Sequence, residues 1–202
     1  MGLTVYGQSG SRAVRALWMV EELGVPYEHN ALKFADAGET PDLLALNPYG
    51  RVPAISDDGF AVFESMAINL YLARRFGGPL APADLKEEAQ AAQWSFFVMT
   101  EIEKTLLNAL CYARGLFNLP VDPEKSKRLG DSLGRAFTAL DRALEGRAYL
   151  LGDRFTVADI NAAGVLLWAP MARLDLSGYP RLDDWLSRCL SRDALARAQA
   201  KP

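Results

Sequence analysis

Histidine is nearly absent from this sequence, since His29 is the only one among 202 residues. One histidine argues against a His-based catalytic triad and against a metal site with several histidine ligands, so we expect no bound metal. Cysteine is scarce as well. Cys111 and Cys189 lie far apart within helical patterns, at no spacing typical of a metal or redox pair, and we expect both thiols to be free.

Basic residues are not in excess, because 22 Lys and Arg are set against 25 Asp and Glu and the formal net charge is −3. The sequence has no basic patch of the kind that binds nucleic acid, so we expect no such partner. No apolar run approaches the ~18 residues of a membrane span, and the start lacks the basic and apolar regions of a secretory signal. We therefore expect a cytoplasmic protein with no membrane partner.

Half of the residues are hydrophobic, and in the first part of the chain they predict alternating strands and helices. The predicted strands cover residues 3–7, 27–32, 52–55 and 61–63. A helix that stops at Gly24 separates the first two strands, and another is predicted over 64–76. A β-α-β unit favours a parallel pair and the later hairpin adds an antiparallel edge. We expect a small mixed sheet with helices packed on it.

The second part of the chain has no strand pattern. Gly77 to Pro82 is rich in glycine and proline and is the clearest linker. From Asp84 to about Arg114 no helix breaker occurs, which predicts a helix of about 30 residues, well above the average length. Further helices are predicted over 124–144, 160–171 and 180–190. We therefore divide the chain into a domain at 1–76, a linker at 77–83 and an all-α domain at 84–202.

Two short stretches in the first domain point to a binding site. Val52-Pro53 lies in an apolar run where an ordinary proline removes a ladder N–H, and proline in such a place often marks a cis bond. The outward N–H and C=O of Val52 could then pair with a peptide laid alongside as an extra strand. Glu64-Ser65 opens a helix, whose free N–H groups attract a carboxylate, while Glu64 suits an ammonium. The alternative is an edge strand followed by a capped helix.

Three segments in this order and spacing carry a resemblance to a known family: residues 45–55, 63–68 and 152–159. With them the whole chain resembles the cytosolic glutathione transferase family, most closely its bacterial members near the phi and theta classes. The resemblance implies an α/β thioredoxin-like N-terminal domain followed by an all-α C-terminal helical domain. It also implies a site that binds glutathione as a co-substrate. The family further implies a homodimer assembled around the helices at 64–76 and 84–114.

The resemblance assigns roles in glutathione binding to five residues of the first domain. Val52, ahead of a cis-Pro53, pairs with the cysteinyl backbone of glutathione. Glu64 and Ser65 hold the γ-glutamyl amine and carboxylate. Arg51 stands where the family often has Gln or Lys beside the ligand, although a solvated surface arginine is an equal alternative.

The group that polarises the thiol is left open by this sequence. In serine-using members of the family, a serine after the first strand donates to the glutathione sulfur, which favours the thiolate and lowers the thiol pKa. An ungapped count places that position on Gly10, with Ser9 and Ser11 on either side. We take Ser9 and Ser11 as the catalytic candidates and Gly10 as a glutathione contact. A backbone N–H at the helix start is the alternative, and Ser11 also suits a helix cap.

A second departure concerns the glycine carboxylate of glutathione, for which phi-like members often use a His-Lys pair. Here that region contains Glu39, which would repel a carboxylate, so Lys33 or Arg51 would have to substitute. The resemblance further implies a cleft for the second substrate between the domains. The residues expected to line it are Phe97, Glu101, Tyr112, Arg114 and Phe117.

The resemblance predicts a glutathione transferase that activates the thiolate for attack on a hydrophobic electrophile or a peroxide, as in detoxification. Two alternatives remain: a non-catalytic glutathione-binding or scaffold protein, and a glutathione-dependent isomerase or dehalogenase. By contrast, Thr156 and Asp159 have the spacing of a capping box, with Asp in place of the usual Glu or Gln. We interpret this pair as a helix cap that serves folding rather than chemistry.

Overall fold

The computed structural model describes residues 2–202, which form two compact units. Unit 1 contains the chain up to Ala83 together with Ser191–Pro202, and unit 2 contains Asp84–Leu190.

Unit 1 is built on a four-stranded sheet. Its strands are β1 Leu3–Tyr6, β2 Glu28–Asn30, β3 Ala54–Asp57 and β4 Phe60–Phe63. The strand order is β2-β1-β3-β4, with β1 parallel to β2 and both other pairs antiparallel. This confirms the predicted mixed sheet and the thioredoxin-like α/β domain. The third strand begins two residues later than predicted, because Val52 and Pro53 make no ladder pairs.

Three helices of unit 1 precede the linker: α1 Ala13–Leu23, α2 Pro41–Leu46 and α3 Ser65–Phe76. Single turns of 3-10 helix lie at Ala37–Glu39 and Gly78–Leu80. Helix α1 ends at Gly24, whose φ of 63° is left-handed and costs glycine little. The core between helices and sheet contains fully buried apolar side chains, among them Val5, Leu17, Ile55 and Leu72.

Unit 2 is entirely helical, as predicted. Its helices are α4 Leu85–Phe97, α5 Lys104–Arg114, α6 Pro123–Ser132, α7 Gly134–Ala143, α8 Val157–Leu166, α9 Trp168–Met171 and α10 Pro180–Leu190. Six residues of π-helix, Val98–Glu103, join α4 to α5, so the breaker-free run is one continuous helical rod. The Asp84 carboxylate caps its start by accepting from the N–H groups of Lys86 and Glu87, each at 2.9 Å.

The helix predicted over 124–144 is divided at Leu133 into α6 and α7. Glycines on both sides of the division lower the helix propensity. Gly130 also has a packing role, because a Cβ there would lie 2.6 Å from Leu174 Cδ2. The predicted run over 160–171 likewise consists of two helices, α8 and α9.

Residues 191–202 are where the structure differs most from the sequence-based division, which placed them with the second domain. They contain a further helix, α11 Asp193–Gln199, that the sequence analysis missed. Leu195 and Ala198 of this helix are buried within unit 1, where α11 packs on α1. The helix is short and rich in alanine, so it has little periodic signal of its own.

Candidate functional site

One end of the sheet in unit 1 brings three chain segments together. The strand register places Tyr6 opposite Ala54, and Ala54 opposite Phe63. The residues that follow β1, precede β3 and follow β4 therefore lie at the same end of the sheet. These residues are the loop at 7–12, Val52-Pro53 and Glu64-Ser65.

Val52 presents a free peptide edge at this end of the sheet. Its peptide bond to Pro53 is cis, as predicted from the sequence. Within residues 2–202, no hydrogen bond engages the Val52 N–H or C=O, although the residue is 93% buried by its surroundings. Most backbone N–H and C=O groups in folded proteins are paired, and a main chain laid alongside would satisfy both groups of Val52.

Glycine is required where the first strand ends, because the chain passes very close to Val52. Gly7 has a φ of 120°, and a Cβ on it would lie 2.8 Å from Val52 Cβ and 2.7 Å from Ala13 Cβ. Any larger residue would force the loop and Val52 apart. His29 also helps to fix the position of Gly7, since its Nε2 lies 2.8 Å from the Gly7 carbonyl oxygen.

The start of α3 forms the third part of the site. Glu64 precedes the helix with a φ of 71°, a strained conformation for a residue with a side chain, and its exposed carboxylate has no partner in residues 2–202. No side chain caps the first N–H groups of α3, which begin at the buried Ser65. The fully buried Arg15 donates from its guanidinium to Ser65 Oγ at 3.3 Å. Uncapped helical N–H groups beside a cation form a site for a carboxylate, and Glu64 offers a site for a cation.

The loop between β1 and α1 contains the two serines singled out above. The Ser9 hydroxyl donates to the Lys201 carbonyl at 2.6 Å, and the Ser9 N–H donates to the main-chain oxygen of Pro202 at 2.9 Å. The Ser11 hydroxyl donates to the Gln8 carbonyl at 2.8 Å and accepts from the Ala13 N–H at 3.1 Å. The N-cap position of α1 is Arg12, one residue later than the predicted Ser11, and it has no side-chain cap. The Ser11 hydroxyl instead accepts from the first N–H of the helix from outside the cap position. In the chain from 2 to 202, the exposed Gly10 N–H has no acceptor.

Both halves of the chain match models of one protein family. Residues 1–74 match the glutathione S-transferase N-terminal domain, and residues 91–193 match the glutathione S-transferase C-terminal domain. The chain belongs to the glutathione S-transferase family. This confirms the family inferred from the three sequence segments.

Solved structures similar to this one cover nearly the whole chain. A glutathione S-transferase-I bound with lactoylglutathione is 27% identical over 99% of both chains, with a TM-score of 0.86. A glutathione transferase from Burkholderia graminis, with two glutathione molecules bound per subunit, is 28% identical over 100% of this chain and 88% of its own, with a TM-score of 0.83. Ure2p in complex with glutathione shares 23% identity over 98% and 93% of the chains, with a TM-score of 0.83, and so shares the fold.

The other candidate residues of unit 1 lie on the surface of that unit. The Arg51 guanidinium stacks over the Tyr49 ring at 4.4 Å. Glu39 and Lys33 are exposed, and neither side chain has a partner in the described part of the chain. Glu39 ends the 3-10 turn that begins with Ala37, which shares a buried cluster with Val52. The negative charge of Glu39 therefore lies on a segment adjoining the free peptide edge.

The five residues expected to contact a second substrate are spread along unit 2. Phe97 packs edge-on against Trp94, and Glu101 is exposed on the π-helical segment. Tyr112 and Arg114 lie in the last turn of α5, about 15 Å or more further along the helical rod than Glu101, and Phe117 lies in the loop after the rod ends. There Tyr112 accepts from Lys125 Nζ at 2.7 Å, Arg114 donates to the Met171 carbonyl at 2.9 Å, and Phe117 is exposed. The structure thus places the five residues in two groups.

Two features of the site were missed by the sequence analysis. The contact of Arg15 with Ser65 spans 50 residues, and that of Ser9 with Lys201 spans 192. The one sequence signal was Arg15 itself, a charged residue among the apolar residues of the helical run Ala13–Val20. Elsewhere in residues 2–202, no group of His, Cys, Asp and Glu has the arrangement of a metal site, and no helix has the length and apolarity to cross a membrane.

Proposed function

We propose that this protein is a glutathione transferase in which Val52, Glu64 and Ser65 hold glutathione. The observation that carries the proposal is the strand register, which brings the free peptide edge of Val52, the start of α3 and the loop at 7–12 to one end of the sheet. Glutathione has a matching set of groups: a peptide backbone, an α-amino acid end and a thiol. The family membership and the glutathione-bound relatives support the same assignment.

In this proposal each end of the ligand meets a group of opposite charge or complementary polarity. The cysteinyl N–H and C=O pair with the C=O and N–H of Val52 ahead of Pro53. The γ-glutamyl carboxylate meets the first N–H groups of α3 and the hydroxyl of Ser65, which Arg15 contacts. The γ-glutamyl ammonium meets the exposed Glu64 carboxylate. Arg51 or Lys33 would meet the glycine carboxylate, against the opposing charge of Glu39.

The chemistry begins at the thiol beside the loop at 7–12. A donor there, from Ser9, Ser11 or the Gly10 N–H, stabilises the thiolate and lowers the thiol pKa, and the proton leaves to solvent. The thiolate then attacks an electrophilic carbon, so that a C–S bond forms as the bond to the leaving group breaks. With a hydroperoxide, the thiolate instead attacks the peroxide oxygen and releases an alcohol, and a second glutathione completes the disulfide and releases water. Phe97, Glu101, Tyr112, Arg114 and Phe117 are the proposed contacts of the second substrate.

The broader setting of the enzyme is proposed on the same basis. The relatives from Burkholderia graminis and Pseudomonas fluorescens support a bacterial protein. The phi- or theta-like class is proposed from the three sequence segments alone. We propose a cytoplasmic homodimer that takes part in detoxification and needs neither metal, nucleic acid nor membrane. A peroxidase side activity accompanies the transfer activity.

A second candidate function is glutathione binding without turnover. The engagement of both serine hydroxyls with backbone carbonyls favours it, because a hydroxyl has one proton to donate. Ure2p, whose name does not identify it as a transferase, has the same fold. At 23% identity this likeness supports the fold alone.

The test is made in three steps on one preparation. Calorimetry should show glutathione binding, a pH titration of ultraviolet absorbance should show bound thiolate below pH 8, and turnover should follow with a panel of aromatic halides, epoxides and hydroperoxides. Binding without a thiolate signal or turnover would favour the second candidate. Absence of glutathione binding by the folded protein would overturn both.

A further inference from the structure

The segment Lys201-Pro202 lies on the loop that adjoins the proposed thiol position. Both polar groups of Ser9 bind to it, the hydroxyl to the Lys201 carbonyl at 2.6 Å and the N–H to the oxygen of Pro202 at 2.9 Å. Two bonds from one residue to consecutive main-chain oxygens fix both its backbone and its side chain. Ser9 is therefore held in place by a segment that is distant in sequence but belongs to the same compact unit.

A cluster centred on Glu21 anchors this segment to α1. The carboxylate accepts from Tyr27 Oη at 2.7 Å and from Arg197 Nε at 2.8 Å, and lies 3.2 Å from Lys201 Nζ. Burial alone would raise the pKa of Glu21, but the hydrogen bonds from Tyr27, Arg197 and Lys201 leave that pKa lowered. The carboxylate is thus held in its charged form between Arg197 of α11 and Lys201 of the segment.

A second anchor precedes α11. Arg192 donates to both carboxylate oxygens of Glu22, from Nε at 2.5 Å and from a terminal nitrogen at 2.7 Å. A bidentate arginine–carboxylate pair fixes orientation as well as distance. Together the two anchors define where residues 200–202 can lie.

Because the Ser9 hydroxyl is already hydrogen-bonded, the Gly10 N–H is the available donor in this loop. A serine hydroxyl has one proton, and in Ser9 and in Ser11 that proton is directed to a backbone carbonyl. For Ser9 to donate to a sulfur, it would have to leave the Lys201 carbonyl. Gly10, between them, is exposed, and its N–H has no acceptor in residues 2–202. Apart from its two chain neighbours, the atom nearest to the position of its absent Cβ is Gln8 Nε2, at 3.6 Å. The Gly10 N–H can receive a sulfur without breaking a bond.

We infer that residues 200–202 position the loop through Ser9, so that the Gly10 N–H and not a serine hydroxyl is the donor to the glutathione sulfur. This inference rests on the proposed function and selects among the donors left open there. Ser9 is then a positioning residue, and Gly10 is the group that touches the reacting atom.

The deciding comparison is between a chain that ends at Gln199 and Ser9→Ala. Both lose the contact between Ser9 and the segment, so each should raise the pKa of bound glutathione thiol and lower kcat, by about tenfold, with KM changed less than about twofold. Ser9→Ala loses the bond from the hydroxyl to Lys201, whereas truncation loses that bond and the one from the Ser9 N–H to Pro202. The double variant should therefore be no worse than truncation alone. Ser9→Thr keeps the hydroxyl and should restore most of kcat.

If Ser9 were itself the donor, the two variants would diverge. Truncation would free the hydroxyl and leave the thiol pKa unchanged or lower, while Ser9→Ala would raise it, and that result would overturn the inference. Unchanged values in both variants would overturn it too. Should the shortened chain not fold, the double variant Arg197→Gln/Lys201→Gln loosens the same segment and should shift the thiol pKa in the same direction. Ser132→Ala is the matched control, since its hydroxyl also donates to a backbone carbonyl, at 2.7 Å, but in unit 2.

A direct readout separates this inference from the proposed function. The Gly10 amide proton should shift downfield in NMR spectra on binding glutathione and much less with S-methylglutathione, which has no thiolate. Equal shifts with both ligands would show that the thiolate does not accept from Gly10. If glutathione itself failed to bind, the proposed function would fail first, and the wild-type titration reports that separately.

Discussion

Glu64 combines two features that are unusual in one residue. Its φ of 71° places a non-glycine residue in the left-handed region, and its carboxylate is exposed without a partner in residues 2–202. Backbone strain of this kind costs about 1–3 kcal/mol and persists where surrounding structure imposes it, often at a ligand site. Here the strained residue lies where the chain turns from β4 into α3, at the end of the sheet where the site lies.

The first prediction follows from this geometry. Glu64→Gln keeps the shape but removes the charge that would pair with the γ-glutamyl ammonium. The affinity for glutathione should fall by about 2 kcal/mol, roughly thirtyfold, as measured by calorimetry. Glu28→Ala, an exposed glutamate on β2, should leave the affinity unchanged. An unaltered affinity in folded Glu64→Gln would remove Glu64 from the site.

Asp159 shows how a recognisable motif can serve the fold. The predicted capping box with Thr156 is present, and the carboxylate is fully buried. It also accepts from the Leu150 N–H and from Trp185 Nε1, each at 2.9 Å. One carboxylate therefore joins the start of α8, the preceding loop and α10.

Removing this carboxylate should destabilise unit 2 without affecting ligand binding. Asp159→Ala leaves several buried donors without an acceptor, and the free energy of unfolding should fall by about 3 kcal/mol. Glutathione affinity of the folded fraction should be unchanged. Asp153→Ala, in the same motif but exposed, is the control and should have little effect on urea unfolding. A variant with native stability and lost binding would place Asp159 in the site instead.

The protonation of Asp159 makes the free energy of unfolding depend on pH in a definite direction. Burial raises its pKa above the ordinary 3.8, in spite of the hydrogen bonds from Leu150, Trp185 and Thr156. The folded state then holds the proton more tightly than the unfolded chain does. The free energy of unfolding should fall as pH rises from 3.8 through the raised pKa. Urea unfolding of Asp159→Asn over this range should lack that decrease, and parallel curves for the two proteins would contradict the assignment.

At the scale of elements, α10 begins at a cap supplied by another helix. Asp141, on α7, accepts from the N–H groups of Arg181 at 2.8 Å and Leu182 at 3.1 Å, and from the Arg181 guanidinium at 2.8 Å. These N–H groups belong to the first turn of α10 and have no acceptor within it. The same carboxylate therefore caps one helix and fixes its position against another.

Asp141→Asn tests this cap through stability and its pH dependence. Burial alone would raise the pKa of Asp141, but the bonds from Leu182 and Arg181 leave it below 3.8. The stabilisation is therefore present above pH 3.8 and is lost as pH falls through the lowered pKa. The variant should lose about 1–2 kcal/mol near neutral pH and converge with the wild type in acid. Glu145→Gln, which loses an exposed bond to the same arginine, should change stability far less.

For the whole molecule, the prediction is assembly into a homodimer. Large apolar side chains are exposed in each unit, including Tyr49 and Phe60 in unit 1 and Leu85 and Phe96 in unit 2. Exposed apolar surface of this kind marks contact sites when it is contiguous, and a stable dimer buries roughly 1,600 Å². Light scattering should return a mass near twice 22.2 kDa. A monomer at micromolar concentration would contradict the prediction.

The sequence by itself determined what depends on local signals. The strands, the long helix from Asp84, the proline of the Val52-Pro53 edge and the capping box were all predictable, because each depends on residues close together in the chain. The family also followed from short segments in a fixed order.

Only the tertiary structure decided which partners these groups meet. Ser9 and Lys201 are 192 residues apart, and Asp141 and Arg181 are 40 apart, so no local pattern connects them. For the same reason the membership of residues 191–202 in unit 1 was not predictable, since it depends on a short alanine-rich helix finding a buried place on α1. A hydroxyl in a loop can donate to a ligand or to the chain, and the sequence is identical in both cases. Folding makes the choice, because it brings a distant carbonyl within 2.6 Å of Ser9.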